Sequence, residues 1–159
     1  MYKTAKQGWY KLLNPDKIIK PLDNHMKSFR MDESGVFLEY KSSLELKAIR
    51  YCDFNKFVTH FALEPFPIHY IKPTDGKKHR YFVDLFIEFN NKDKFIVEIK
   101  PKSETIQPKK PKANSQKAMM RYQKAIQTFA VNQAKWEAAK KFADEKNIKF
   151  IILTDEELN

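Results

Sequence analysis

The sequence predicts an α/β fold, a mixed β-sheet flanked by helices, on three observations. Arg80 to Lys100 reads as two strands joined by a turn, Ser115 to Lys146 carries helical periodicity, and the apolar run Lys149 to Leu153 directly follows that helical stretch. A helix leading into a further buried strand is the pattern of a crossover, which adds a strand in parallel to an existing sheet.

In chain order, residues 1–39 show no sustained periodicity, and Asn14-Pro15, Lys20-Pro21 and Ser34-Gly35 mark turns. An irregular arm is expected there, packed through Trp9, Tyr10, Leu12 and Leu13 onto a core of residues 40–159, the whole forming a single domain. At Ser42 the pattern changes. Leu44, Ala48 and Tyr51 or Cys52 recur at helical spacing, and Ser42 stands ahead of Glu45 as in a capping box. Glu45 is therefore open to two readings, a cap for free backbone N–H groups or a carboxylate aimed at a metal from the first helical turn. Phe57 to Phe61 and Pro67 to Ile71 are short strand candidates, and Lys72 to Lys78, with Asp75-Gly76, is a turn. His60, His69 and His79 are too scattered for a zinc site, although His79 beside Arg80 is a phosphate-contact candidate.

In the central hairpin, alternation places Tyr81, Val83, Leu85, Ile87 and Phe89 on one face, opposite Phe95, Val97 and Ile99. The other face carries Phe82, Asp84, Phe86 and Glu88, then Ile96, Glu98 and Lys100. The apolar faces match only if Asp84 lies opposite Glu98 or an even step away, which calls for an odd-length loop such as Asn90-Asn91-Lys92. Opposed residues have Cβ atoms about 4.5–5.5 Å apart, where two carboxylates repel. A divalent cation removes that cost, since Mg²⁺ is commonly held by one or two carboxylates together with water and substrate phosphate. Lys100 shares their face and could hold a nucleophilic water or stabilise a pentavalent phosphate. A solvated sheet face would carry the same Glu-x-Lys, but Phe82, Phe86 and Ile96 among the charges imply that something covers this face in part.

After the hairpin, PKSETIQPKKPKA is too rich in proline for a helix or inner strand. It reads as a basic loop leaving the site, with Lys102, Lys109, Lys110 and Lys112 available to a nucleic-acid backbone. Two helices are expected next, Ser115 to Phe129 and Asn132 to Lys146, the second burying Trp136, Ala139, Phe142 and Ala143 and closing at Asn147. Lys117, Arg121 and Lys124 lie within helical reach of one another and could follow phosphates, as could Arg80 and Lys135.

Composition bounds the function. A net charge of +10 with 31% charged residues points to an anionic partner, nucleic acid first, while 42% hydrophobic residues support a folded core. The single cysteine, Cys52, excludes an internal disulfide framework and reads as a small core residue. The opening MYKTAKQGWYK holds no apolar run of signal-peptide or spanning length, so a soluble intracellular protein with no membrane partner is expected.

Glu45, Asp84 and Glu98-Ile99-Lys100 have the layout of the PD-(D/E)xK nuclease superfamily, which implies a restriction-endonuclease-like core. Beyond that signature, Leu13-Asn14-Pro15-Asp16-Lys17, Tyr40 to Glu45, Glu64 to Ile68, Asp75 to Tyr81, Val97 to Lys102 and Asn132 to Trp136 together resemble the head completion nucleases of T-even-type tailed phages. The endonuclease subunit of cut-and-paste transposons is similar over less of the chain. Val83 stands where the superfamily has proline, and Leu44 where the phage family commonly has tryptophan; neither removes a charged position. The resemblance implies that Asp84 and Glu98 bind Mg²⁺, with Mn²⁺ able to substitute and the Ile99 carbonyl a further ligand. Lys100 would then position water and Glu45 would hold a second metal or orient the first. It further implies hydrolysis of double-stranded DNA without a small-molecule cofactor, and phage portal, neck or head proteins as partners in the host cytoplasm or the virion. The alternatives are a non-cleaving DNA-binding head or neck component and a transposase-type endonuclease subunit.

Overall fold

The structure is a computed structural model that describes residues 6–20 and 28–159; the turn expected at Lys20-Pro21 extends at Pro21 outside the described residues. In chain order the elements are β1 (Gly8–Lys11), β2 (Phe29–Asp32), β3 (Gly35–Tyr40), α1 (Ser43–Phe54), β4 (Val58–Leu63), β5 (Pro67–Ile71), β6 (Lys78–Phe82), β7 (Leu85–Phe89), β8 (Lys94–Ile99), α2 (Gln116–Glu145), β9 (Lys149–Leu153) and α3 (Asp155–Leu158). The central sheet runs β4-β7-β8-β9, antiparallel except for the parallel β8–β9 pair that the crossover through α2 creates. This is the expected open mixed sheet flanked by helices.

Each face of the sheet has its own core. Leu85, Ile87, Val97 and Ile99 pack with Ala48, Ile49 and Cys52 of α1 and with Val36 and Leu38 of β3. On the opposite face Ile96, Phe86 and Phe150 meet Ala139, Phe142 and Ala143 of α2. The cover expected over the Phe86 and Ile96 side is therefore α2. Cys52 is fully buried, and burial pushes its thiol up to about 12, as befits a packing residue.

The stretch expected to be irregular is a three-stranded antiparallel sheet, β1-β3-β2, and β3 runs through Tyr40, across the expected boundary between residues 39 and 40. Its strands are short, and β1 finds its partner far along the chain (Gly8 opposite Tyr40), so local periodicity could not reveal them. Leu12 is buried, but Trp9 and Leu13, at 42% and 63% exposed, are not the anchors expected. The arm is held instead by Asp53. Its carboxylate accepts from Tyr10 Oη (2.7 Å), Leu13 N (2.9 Å) and Asn14 N (2.8 Å).

Two further expectations are corrected. The two helices are one of 30 residues, because no glycine or proline interrupts Gln116 to Glu145; it ends at Asn147 in a left-handed conformation (φ 56°). The first hairpin strand is also broken, at Val83-Asp84. Leu63 pairs with Leu85 and Pro67 with Phe82, so Glu64, Pro65 and Phe66 on one chain face only Val83 and Asp84 on the other. That extra residue is a bulge, and it turns β5 and β6 out into a separate two-stranded sheet. Tyr81 and Val83 consequently pack on the α2 side, not with Leu85 and Ile87.

Candidate active site

The site forms where that bulge meets the end of β8. Asn90 to Asp93 separate β7 from β8; Phe89 N donates to the Asp93 carbonyl, so Asn90-Asn91-Lys92 forms the turn itself, with Lys92 left-handed (φ 73°), and Leu85 pairs with Val97. Continuing this register by one residue brings Asp84 opposite Glu98, the parity the sequence required. Asp84 Oδ2 accepts from Ile99 N at 2.7 Å, so the β8 backbone itself orients that carboxylate.

Burial dominates the electrostatics of the pair. Asp84 is pushed up to about 6, by desolvation first; the Ile99 N–H pulls it down, the charge of Glu45 pushes it up, Lys100 pulls down and Glu64 pushes up. Glu98 rises from 4.5 to about 8 through desolvation, then through the charge of Asp84, with Lys100, Lys135 and Trp136 working the other way. Lys100 thus lies where it can act on both carboxylates.

Glu98 is 7% exposed, and its Oε2 is buried with no hydrogen-bond partner. Two buried donors nearby are also unpaired: Trp136 Nε1 eases the ionisation of Glu98 without reaching hydrogen-bond geometry, and Tyr81 Oη is raised by burial and then by Glu98. Lys135 Nζ stands 5.7 Å from the Tyr81 ring centre and 5.8 Å from that of Tyr70. Its pKa is lowered, by burial above all, with Lys100 and Lys72 adding and Glu98 opposing.

Glu45 satisfies both of its readings in part. Its N–H donates to Ser42 Oγ and its Oε2 accepts from Lys41 N (2.7 Å), so it does cap the start of α1. It also lines a cavity of about 20 Å³, room for about one water, together with Asp84, Glu64, Glu39 and Lys41. Glu64 was not anticipated as a site residue. It is the first of the three residues at the bulge, its N–H donating to the Asp84 carbonyl; it is left-handed at φ 43°, and Lys41 Nζ pairs with it at 3.3 Å. The Glu64-Pro65 step was its signal in the sequence. Burial opposes the Lys41 ammonium, but Glu64, Glu45 and Glu39 outweigh it and raise the group.

Among the described residues, no group of three or more His, Cys, Asp or Glu side chains is arranged to hold a metal ion. The remaining predicted residues are spread around the site. Arg80 is exposed on β6 and His79 is engaged by Asp75 at 2.7 Å. Lys102 is tied to the C-terminal turn through Asp155 and Glu156. Lys109, Lys110, Lys112, Lys117 and Arg121 are exposed, whereas Lys135 reaches the site itself. Among the described residues, no helix is long and apolar enough to cross a membrane.

Comparison with known proteins identifies the family of the chain. A family profile described as TnsA-like endonuclease N terminal matches residues 55–155. The head completion nuclease of Enterobacteria phage T4 is 36% identical over 139 residues, covering 87% of this chain and 91% of the relative.

Proposed function

The chain belongs to the TnsA-like endonuclease family and is related to phage head-completion nucleases, and from that premise we propose that it hydrolyses phosphodiester bonds of double-stranded DNA during head completion. The observation that carries the reading is the buried, unpartnered Oε2 of Glu98 beside a second buried carboxylate. A chain that only had to fold would not retain such a pair, because a buried carboxyl oxygen left without a hydrogen-bond partner costs about 1–3 kcal/mol. The donor set fits a hard divalent cation: two carboxylates, not a cage, leave room for water and substrate oxygens, which suits Mg²⁺ or Mn²⁺.

Asp84 and Glu98 would hold that cation, with the Ile99 carbonyl as a further ligand. Once bound, it would supply Lewis-acid stabilisation of the charge that builds on the phosphoryl and leaving oxygens. The protein's own groups do the rest. The Ile99 N–H fixes the Asp84 carboxylate, and Lys100 positions water for in-line attack on phosphorus as the bond to the leaving oxygen breaks. Glu45, across the small cavity from Asp84, orients the site or holds a second ion. The basic loop and α2 bind the duplex, and portal, neck or head proteins supply the context.

The observation that favours a non-cleaving DNA-binding component is that, among the described residues, no group of three or more His, Cys, Asp or Glu side chains is arranged to hold a metal ion. One experiment separates the readings. Purified protein with Mg²⁺ or Mn²⁺ should nick or cut supercoiled and linear DNA, and Asp84→Ala should abolish this while still binding. Intact DNA with the unaltered chain, and binding unaffected by the substitution, would establish the non-cleaving reading.

A further inference from the structure

The long helix α2 changes character halfway along. From Val131 onward its residues pack on the sheet (Val131, Ala134, Ala138, Ala139, Phe142, Ala143), whereas nearly all residues from Gln116 to Thr128 are exposed or half-exposed. At about 1.5 Å per residue, this leading half extends roughly 20 Å beyond the packed part.

The direction of its charges is the informative part. At about 100° per residue, Lys117, Arg121, Lys124 and Lys135 fall within about 60° of one another, Lys117 and Lys135 being about five full turns apart. That stripe is not the wet back of the helix. It shares its side with Val131, Ala139 and Phe142, the side that rests on the sheet farther along. The same helical face is therefore apolar where the sheet lies under it and basic where the sheet has ended. It terminates at Lys135, which faces Glu98 and Lys100. From Thr105 to Trp136 the chain contains no Asp or Glu, while carrying seven Lys and Arg. A groove of about 390 Å³ between residues 103–108 and the helix, lined by Arg121, Lys124, Thr128 and Asn132 on the helix side and by Glu104, its one acid, on the other, runs beside the stripe.

Resting on the nuclease reading, we propose that the leading half of α2 is an arm that lies along the duplex to one side of the scissile phosphate. The requirement it imposes follows from its length. From Lys135 to Lys117 is about 27 Å, which is about eight base pairs of duplex at 3.4 Å each. The substrate class is thus DNA with continuous duplex on that flank, and short duplexes or single strands are bound without the arm.

The test uses fluorescence anisotropy without divalent metal, so that it does not depend on cleavage, on duplexes of 6 to 24 base pairs. Lys117→Ala/Arg121→Ala/Lys124→Ala should weaken binding to the long duplexes at least tenfold. It should lower the slope of log affinity against log salt by about three, one released counterion per lost contact. On the shortest duplexes the variant and the unaltered chain should bind alike. Lys140→Ala/Lys141→Ala, on another side of the same helix, should change neither quantity. All of the substituted side chains are exposed, and unchanged thermal unfolding verifies that the fold is intact. Equal losses in the two variants, or unaltered long-duplex binding by the arm variant, overturn the proposal; the latter would assign the stripe to a protein partner. Glu98→Gln should keep the full length dependence, so a failed arm and a failed nuclease assignment give different results.

Discussion

Two buried carboxylates, Asp53 and Glu98, sit in the same small protein in opposite circumstances. Asp53, fully buried, receives three hydrogen bonds from Tyr10, Leu13 and Asn14, and its backbone carbonyl accepts from the Asn14 amide and the Lys17 ammonium. Glu98, almost as buried, has an oxygen with no partner and a pKa driven up to about 8. Burial alone therefore does not mark a functional acid. A carboxylate whose acceptor capacity is met by its own chain holds the fold together, and one left unmet is waiting for something the chain does not contain.

Substitution should separate the two roles. The largest effect expected is on cleavage: Glu98→Gln and Asp84→Asn should each lower the rate by about a hundred- to a thousand-fold, the scale seen when transition-state electrostatics are removed. Glu98→Gln should leave metal-free unfolding at neutral pH nearly unchanged, since with its pKa near 8 the Glu98 carboxyl is already mostly protonated there. Asp53→Ala should do the reverse. It strands three donors and frees the arm, costing about 3–5 kcal/mol in chemical denaturation, while the enzyme that remains folded still cleaves.

A third, smaller effect lies in the pH dependence of the metal-free protein. Glu98 has a folded pKa raised from 4.5 to about 8. A raised acid favours folding while it stays protonated, so its contribution is complete below pH 4.5 and is lost as pH rises toward 8, by a few kcal/mol in order of magnitude. Asp84 adds a loss in the same direction that is complete by about pH 6. Melting temperature in EDTA should therefore fall across this window, flatten above pH 6 in Glu98→Gln while the Asp84 part below pH 6 remains, and recover with Mg²⁺. A slope above pH 6 that persisted in Glu98→Gln would assign the titration elsewhere. The smallest expected shift in activity is that of Trp136→Phe: it removes a group that eases Glu98 ionisation, so the acid limb of the cleavage profile should move to higher pH, with a modest loss of stability from the smaller buried ring.

The arrangement of the candidate site was more legible in the sequence than the scaffold around it, for a physical reason. Asp84, Glu98 and Lys100 are joined by strand parity and one tight turn, and such local rules survive without coordinates. The bulge at Glu64 was hidden because it is a mismatch between two segments, three residues facing two, which neither segment records alone. The β1-β3-β2 sheet depends on pairing between distant residues. The continuity of α2 was obscured because its leading half has no core to pack on, so the apolar stripe lapses although the helix does not. Asp53 was overlooked because its partners Tyr10, Leu13 and Asn14 lie some 40 positions away.

The central claim is that Glu98 and Asp84 are kept buried together for a cation. A crystal soaked in Mn²⁺ tests it most directly through anomalous scattering. The account predicts one peak bound by both carboxylates and absent in Glu98→Gln. No peak at that position in the unaltered protein, with both side chains ordered and the pH above 8, would contradict it.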